Sequence, residues 1–293
     1  MRSLLFVPGD SPKKMEKAVG AGADAVIFDL EDSVAAAGKA AARATVRDFL
    51  KAAKRVKPCP ALYVRVNALD TGLIDGDLDV VLEGAPDGIM LPKCSGRADV
   101  VRLDAKLAAR EALAGLPDGS TRVLALATET AAAIFGLGGY FGASARLEAM
   151  AWAGEDLSVA LNAENNRLAG GLYAEPYRIA RALCLFAAVA AEVAPIDAVY
   201  TNYRDLDGLR AETLEARHDG FSAKLAIHPA QVAVINEVFT PTPAAIARAK
   251  AIVAAFGKSP GTGVVGLKNE MLDRPHLVRA ERLLAQAKAA GLA

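Results

Sequence analysis

Two carboxylates, Glu129 and Asp156, each close a short apolar run, and together they suit a hard divalent cation. Val123 to Ala127 has no helical period and is closed by Thr128-Glu129-Thr130; Leu147 to Ala153 is a second such run, closed by Gly154-Glu155-Asp156. Two buried parallel strands deliver both acids to the same edge of a sheet. Mg²⁺ is usually held by one or two carboxylates, with waters and substrate oxygens filling the other positions. Either acid alone is better read as a cap on the helix that follows it. The pair, at matching strand ends, favours the metal.

Arg65 sits inside the apolar run Tyr63-Val64-Arg65-Val66. A buried cation is costly unless it meets an anion, and a planar guanidinium fits a carboxylate. Its partner is a substrate, or a structural salt bridge with Asp29, Glu31 or Asp32. These three acids cannot all be metal ligands. Alternation points Asp29 and Glu31 the same way, and all three are read as fixing Arg65 or metal-bound waters. Lys39 and Arg43 lie one turn apart on a helix face, where charges usually face solvent; beside the site they would make a phosphate-binding pair. Lys93, after Pro92, reads as an ion pair before a Schiff-base lysine. His228, before Pro229, reads as a hydrogen-bonded turn histidine.

The elements that must position these residues repeat. Apolar runs at Leu4–Val7, Ala25–Phe28, Leu62–Val66, Gly88–Leu91, Val123–Ala127, Leu147–Ala153, Ile196–Tyr200 and Leu225–Ile227 alternate with helical patterns. Polar residues crowd their carboxyl ends, while their starts are mostly plain turns. The pattern predicts a (β/α)8 TIM barrel over residues 1–229 with its active site at the carboxyl ends of the strands. An open doubly wound sheet is the runner-up, but no Gly-x-Gly-x-x-Gly follows the first strand. Residues 230–293 form a C-terminal helical extension, too short for a large core of its own, which should pack on the barrel or on a neighbouring subunit. Within it, Gly257 to Gly266 has the wrong order for a phosphate loop and reads as a flexible linker.

Composition narrows the class. Hydrophobic residues make up 53% and aromatics only 5%, so the core is built of Ala, Val, Leu and Ile, as helices packed closely on a parallel sheet require. Lys plus Arg equals Asp plus Glu, at 34 each, leaving no global charge to attract nucleic acid or an anionic membrane. The three cysteines, Cys59, Cys94 and Cys184, fit neither a disulfide framework nor a zinc pattern. A cytoplasmic protein is expected, since no signal-peptide order opens the chain and no apolar run reaches membrane-spanning length.

Taken together, the motifs resemble the citrate lyase β-subunit-like branch of the HpcH/HpaI aldolase superfamily. The resemblance rests on Arg2-Ser3-Leu4-Leu5-Phe6-Val7-Pro8-Gly9, Asp29-Leu30-Glu31-Asp32-Ser33-Val34, Lys39 with Arg43, and Val64-Arg65-Val66-Asn67. It continues through Leu91-Pro92-Lys93, Glu129-Thr130, Gly154-Glu155-Asp156-Leu157, Ile227-His228-Pro229 with Gln231, and Met271-Leu272-Asp273-Arg274-Pro275. It implies a Mg²⁺-dependent lyase, with Mn²⁺ as a substitute, that cleaves or forms a carbon–carbon bond in malyl-, citramalyl- or citryl-CoA to give an acyl-CoA and a 2-oxoacid. It further implies a homotrimer or a multiple of trimers. By position, Glu129 and Asp156 resemble the two metal ligands and Arg65 the substrate-carboxylate arginine. Asp273 resembles the acid–base residue that enters a neighbour's site, and Lys39 and Arg43 the contacts to the CoA end. The alternatives are a malyl-CoA type thioesterase on the same site, or a β subunit that needs its citrate lyase partners. Ala153 before Gly154, and Ser222-Ala223 before Lys224, depart from the common pattern and leave the substrate open.

Overall fold

The apolar runs form the strands of one parallel sheet, and the sheet closes on itself. The computed structural model describes residues 1–258 and 261–292. The barrel runs β1 (Ser3–Pro8), α1 (Pro12–Val19), β2 (Ala25–Asp29), α2 (Lys39–Ala53), β3 (Ala61–Arg65), α3 (Ile74–Val81), β4 (Gly88–Leu91) and α4 (Arg97–Ala114). It continues with β5 (Arg122–Leu126), α5 (Ala131–Gly136), β6 (Leu147–Ala151), α6 (Glu155–Ala160), α7 (Glu175–Ala190), β7 (Ala194–Asp197), α8 (Leu206–Asp219), β8 (Ala223–Ala226) and α9 (Pro229–Phe239). Closure comes from β1, which pairs in parallel with both β2 and β8. The (β/α)8 barrel expected from strand–helix alternation is the fold observed.

Alternate residues of the strands fill the barrel interior. Leu4, Ile27, Tyr63, Met90, Leu124 and Leu225 interleave with Ala25, Ala149, Ala151 and Ala223, so the inside is a packed core and not a pore. Strand bounds shift from those of the runs, most of all at β7. Expected over Ile196–Tyr200, it spans Ala194–Asp197, and its ladder with β8 ends at the pair Asp197–Lys224. The apolar character of Ala198-Val199-Tyr200 extends the run in sequence, but those residues have already left the ladder.

The loops carrying the polar strand ends are held by close backbone approach. Gly136, at the end of α5, lies against the turn after β4: a Cβ there would come within 1.9 Å of the Ser95 carbonyl oxygen. Gly136→Ala therefore has to push apart the segments that follow Lys93 and Glu129. We expect it to cost about 2–4 kcal/mol of stability, read as a lowered midpoint in thermal or urea unfolding; an unchanged midpoint would mean that this contact is soft.

The described chain divides between Asn236 and Glu237, inside α9. The second unit contains α10 (Pro243–Gly257), an antiparallel hairpin of β9 (Val264–Leu267) and β10 (Glu270–Asp273), and α11 (Arg274–Ala289). Ala249, Ile252, Val265, Leu272 and Ala280 make its core. The hairpin corrects the flexible-linker reading of Gly257 to Gly266. Val264 pairs with Asp273 and Val265 with Leu272, and the latter two apolar side chains are buried. Residues 259 and 260 of that stretch lie outside the described residues. Among the described residues no helix is long and apolar enough to cross a membrane.

Candidate active site at the barrel mouth

A cavity of about 440 Å³ opens at the carboxyl ends of the strands, lined by Phe6, Asp29, Asp32, Arg65, Glu129, Trp152 and Asp156 among others. Its charged half begins with a ladder pair. Asp29 ends β2, Arg65 ends β3, and the two are in register. Arg65 Nε and Nη2 each donate to an oxygen of the Asp29 carboxylate at 2.7 Å. Its Nη1 lies 2.9 Å from Glu31 Oε2 and 3.6 Å from Asp32, with the Phe6 ring beneath the guanidinium. Burial works against this charge, yet Asp29 and Glu31 hold the Arg65 pKa above its ordinary value. Burial likewise opposes ionisation of Asp29, but Arg65 and the amides of Glu31 and Ser33 bring its carboxyl below the usual range. The structural salt bridge is thus present, and Arg65 lines the cavity as well. Two of its five guanidinium N–H groups are hydrogen-bonded to Asp29, while the contact with Glu31 is an ion pair.

That arrangement sharpens a charge-geometry experiment. Arg65→Lys keeps the charge but cannot grip Asp29 with two parallel hydrogen bonds. We expect kcat/KM to fall by about 10²-fold or more, almost as far as in Arg65→Ala, the range in which one well-placed donor is lost. Near-normal activity in the lysine variant would make Arg65 a diffuse electrostatic group.

Lys93 organises the acidic half. It follows β4 with φ +50°, a left-handed conformation rare for a non-glycine residue. Its N–H donates to Glu129 Oε2, while its ammonium turns to Glu31 Oε1 at 2.6 Å and Asp156 Oδ1 at 3.3 Å. Although burial works against its charge, Glu31 first and Glu129 and Asp156 after it hold Lys93 protonated. An ammonium so held is not a nucleophile for a carbonyl, which leaves the ion-pair reading of Lys93.

Glu129 follows β5 and is 2% exposed; Asp156 lies in the first turn of α6 with its side chain 32% exposed. Burial, and then the charge of Asp156, push the Glu129 carboxyl up to about 8. Burial also raises Glu31, against the pull of Arg65 and Lys93. Among the described residues no group of three or more His, Cys, Asp and Glu is arranged around one metal position. A two-carboxylate site is the kind Mg²⁺ takes, because that ion keeps several waters and adds substrate oxygens. Glu129 and Asp156 fit such an ion on electrostatic grounds: their mutual repulsion in a buried setting is what a divalent cation relieves.

Lys39 and Arg43 do not line the cavity. Lys39 Nζ donates to the Leu30 and Glu31 carbonyls at 2.8 and 2.9 Å, pinning the loop after β2. Arg43 Nε donates to the fully buried Asp77 at 2.7 Å, and Nη2 to the Leu73 carbonyl. His228 accepts from the Ala230 N–H and stacks on Tyr203. Asp273, in the second unit, is exposed and N-caps α11, with its carboxylate 2.5 Å from His276 Nδ1.

Three residues near the cavity escaped the sequence reading. Asp197 ends β7, and Lys224 of β8 is fully buried against it at 2.6 Å. Trp152, after β6, donates its indole N–H to Asp197 at 2.6 Å. The signal was there: an acid interrupts the seventh apolar run, as Arg65 does the third, and a lysine directly precedes the eighth.

Comparison with known proteins gives consistent matches along the whole chain. Residues 2–229 match the model of the HpcH/HpaI aldolase/citrate lyase family, and residues 175–292 match that of C–C bond lyases of the TIM-barrel fold. The citrate lyase subunit beta of Leuconostoc mesenteroides subsp. cremoris is 33% identical over 98% of this chain and 93% of its own. A (3S)-malyl-CoA thioesterase of Cereibacter sphaeroides is 37% identical over 98% of this chain and 95% of its own. Among solved structures, CitE from Mycobacterium tuberculosis in complex with magnesium, acetoacetate and coenzyme A superposes with a TM-score of 0.79, at 33% identity over 98% of both chains.

Proposed function

The chain belongs to the HpcH/HpaI aldolase/citrate lyase family, and from that premise we propose that it is a Mg²⁺-dependent carbon–carbon lyase. It cleaves or forms a 3-hydroxyacyl-CoA such as malyl-, citramalyl- or citryl-CoA, with an acyl-CoA and a 2-oxoacid on the other side of the reaction. The observation that carries this reading is the acid pair of buried Glu129 and half-buried Asp156 in a cavity shared with Arg65. The magnesium in the complex of the related CitE supports the choice of ion.

Glu129 and Asp156 would hold the cation, which would supply a Lewis acid that lowers the cost of ionising the substrate hydroxyl. Cleavage breaks the bond between the hydroxyl-bearing carbon and the carbon beside the thioester; the electron pair moves to the thioester as an enolate, and the hydroxyl carbon becomes the keto group. Arg65 meets the developing negative charge with the N–H donors that Asp29 does not take. The hydroxyl proton leaves to solvent, and Asp273, protonated in exchange, delivers a proton to the enolate carbon, or removes one in the condensing direction. Lys93 and Glu31 keep the acids apart and aimed. Apolar walls from Phe6, Leu126 and Leu225 exclude water from the enolate. At the CoA end, Lys39 and Arg43 meet phosphates with the donors their internal contacts leave over.

The protein works in the cytoplasm as a trimer or a multiple of trimers. Exposed Phe135, Val159 and Phe141 are apolar groups that a subunit interface would cover.

The thioesterase relative motivates a second reading, in which water attacks the thioester carbonyl at the same site. One assay separates the two. Malyl-, citramalyl- and citryl-CoA are incubated with Mg²⁺ while oxoacid and free thiol are followed together, and glyoxylate, pyruvate and oxaloacetate are tested in reverse with acetyl-CoA and propionyl-CoA. Oxoacid without thiol is expected. Thiol release without oxoacid favours the thioesterase, and no product from the chain alone favours a β subunit that needs partners.

A further inference from the structure

We propose that Asp197 and Trp152 are positioning residues that set the Asp156 carboxylate through the Gly154 turn; the inference rests on the metal site just proposed. Asp197 is 1% exposed and already has two cationic partners, Lys224 Nζ at 2.6 Å and Arg181 Nε at 3.1 Å. Its charge is balanced without the indole, yet Trp152 Nε1 donates to Asp197 Oδ1 at 2.6 Å. This hydrogen bond fixes the rotation of a ring that lines the active-site cavity.

The turn bearing Asp156 rests on that ring. A Cβ at Gly154 would come within 3.2 Å of Trp152 Cζ3 and 3.4 Å of Tyr173 Cε1. Gly154 has φ −97° and ψ −21°, which any residue adopts, so close approach is what calls for glycine here. Tyr173 braces the indole edge-on, with ring centroids 4.8 Å apart. From the side, Asn166 Nδ2 donates to Glu155 Oε1 at 2.8 Å. α6 has only six residues and no side-chain cap on Gly154, so a helix this short takes its direction from what it lies on. Asp156 is its second residue. The indole and its buried acid thus stand behind the turn that carries Asp156, a place where substitutions commonly cost 10–100-fold in affinity.

The test uses metal-free full-length protein and Mg²⁺ alone. Calorimetric titration should show Mg²⁺ binding about tenfold weaker, or worse, in Trp152→Phe, which keeps a ring and loses the donor. Gly154→Ala should weaken it similarly, by displacing the turn, and Asp197→Asn, which keeps an acceptor, should lose less. Trp152 is the only tryptophan in the chain, so wild-type emission should shift on adding Mg²⁺, with half-saturation at the calorimetric Kd. A purely structural role would lower the melting temperature and leave Kd and emission alone. Folded Trp152→Phe and Gly154→Ala proteins with wild-type Kd overturn the inference, as does metal-silent emission in a wild type that binds Mg²⁺. A wild type that binds no Mg²⁺ overturns the metal site first, and this inference with it.

Discussion

Glu129→Gln protein should cleave no 3-hydroxyacyl-CoA, and without metal at neutral pH it should be more stable than the wild type. The first half follows from its ligand role. A Lewis acid contributes several kcal/mol to such a barrier, so losing it costs about 10³-fold or more in kcat. The second half follows from the position of Glu129, whose carboxyl burial and Asp156 push from 4.5 up to about 8. Between those values the folded state binds the proton more readily than the unfolded chain does. Stability must therefore fall as pH rises through that window, and it is fully penalised above it. Glutamine carries no charge and escapes the penalty. Unfolding of chelator-treated protein from pH 5 to 8.5 should show the wild type losing ground to Glu129→Gln as pH rises. At neutral pH saturating Mg²⁺ should reverse the order, since a ligand at a thousand times its Kd adds about 4.1 kcal/mol. Asp156→Asn should also abolish turnover and lose the Mg²⁺ stabilisation. A Glu129→Gln protein that Mg²⁺ still stabilises to the wild-type extent would remove Glu129 from the metal site.

The barrel was legible because each strand is a short apolar run bounded by turn residues, buried on both faces and closed by polar residues at one end. The same logic found Arg65, since a cation inside such a run must have an anion, and Asp29 supplies it across the ladder. Applied evenly it would also have found Asp197, inside the seventh run, and Lys224, directly before the eighth, which pair with each other. The role of Lys93 was not accessible in this way. Its grip on three acids depends on a left-handed backbone, which only the folded turn reveals. The hairpin β9–β10 was hidden for a related reason: it pairs only four residues on each side, one of them Gly266, and it depends on burial of Val265 and Leu272 for its identity. Local spacing marks where charges must be resolved, but which atoms resolve them is decided by tertiary contacts.

Asp273 offers the second large effect, and one substitution can isolate its chemistry from its structural duty. It caps α11, with His276 reciprocating from the third helical position, and its side chain is 53% exposed. The hydrogen bond with His276 holds its carboxyl below the usual range. Asparagine caps a helix as well as aspartate does, but it cannot accept a substrate proton. Asp273→Asn should therefore keep the wild-type melting temperature and Mg²⁺ affinity while kcat falls by about 10²–10⁴-fold, the usual contribution of a positioned acid–base group. Activity close to wild type would reduce Asp273 to its capping role. If kcat falls, mixing locates the group. Asp273→Asn and Glu129→Gln chains, each inactive alone, are unfolded together and refolded into mixed oligomers verified by mass. Recovery of a fraction of wild-type turnover means that an intact metal pair in one subunit works with Asp273 of the next. Absence of recovery means that each barrel uses its own Asp273, because every site in the mixture then lacks one of the two groups.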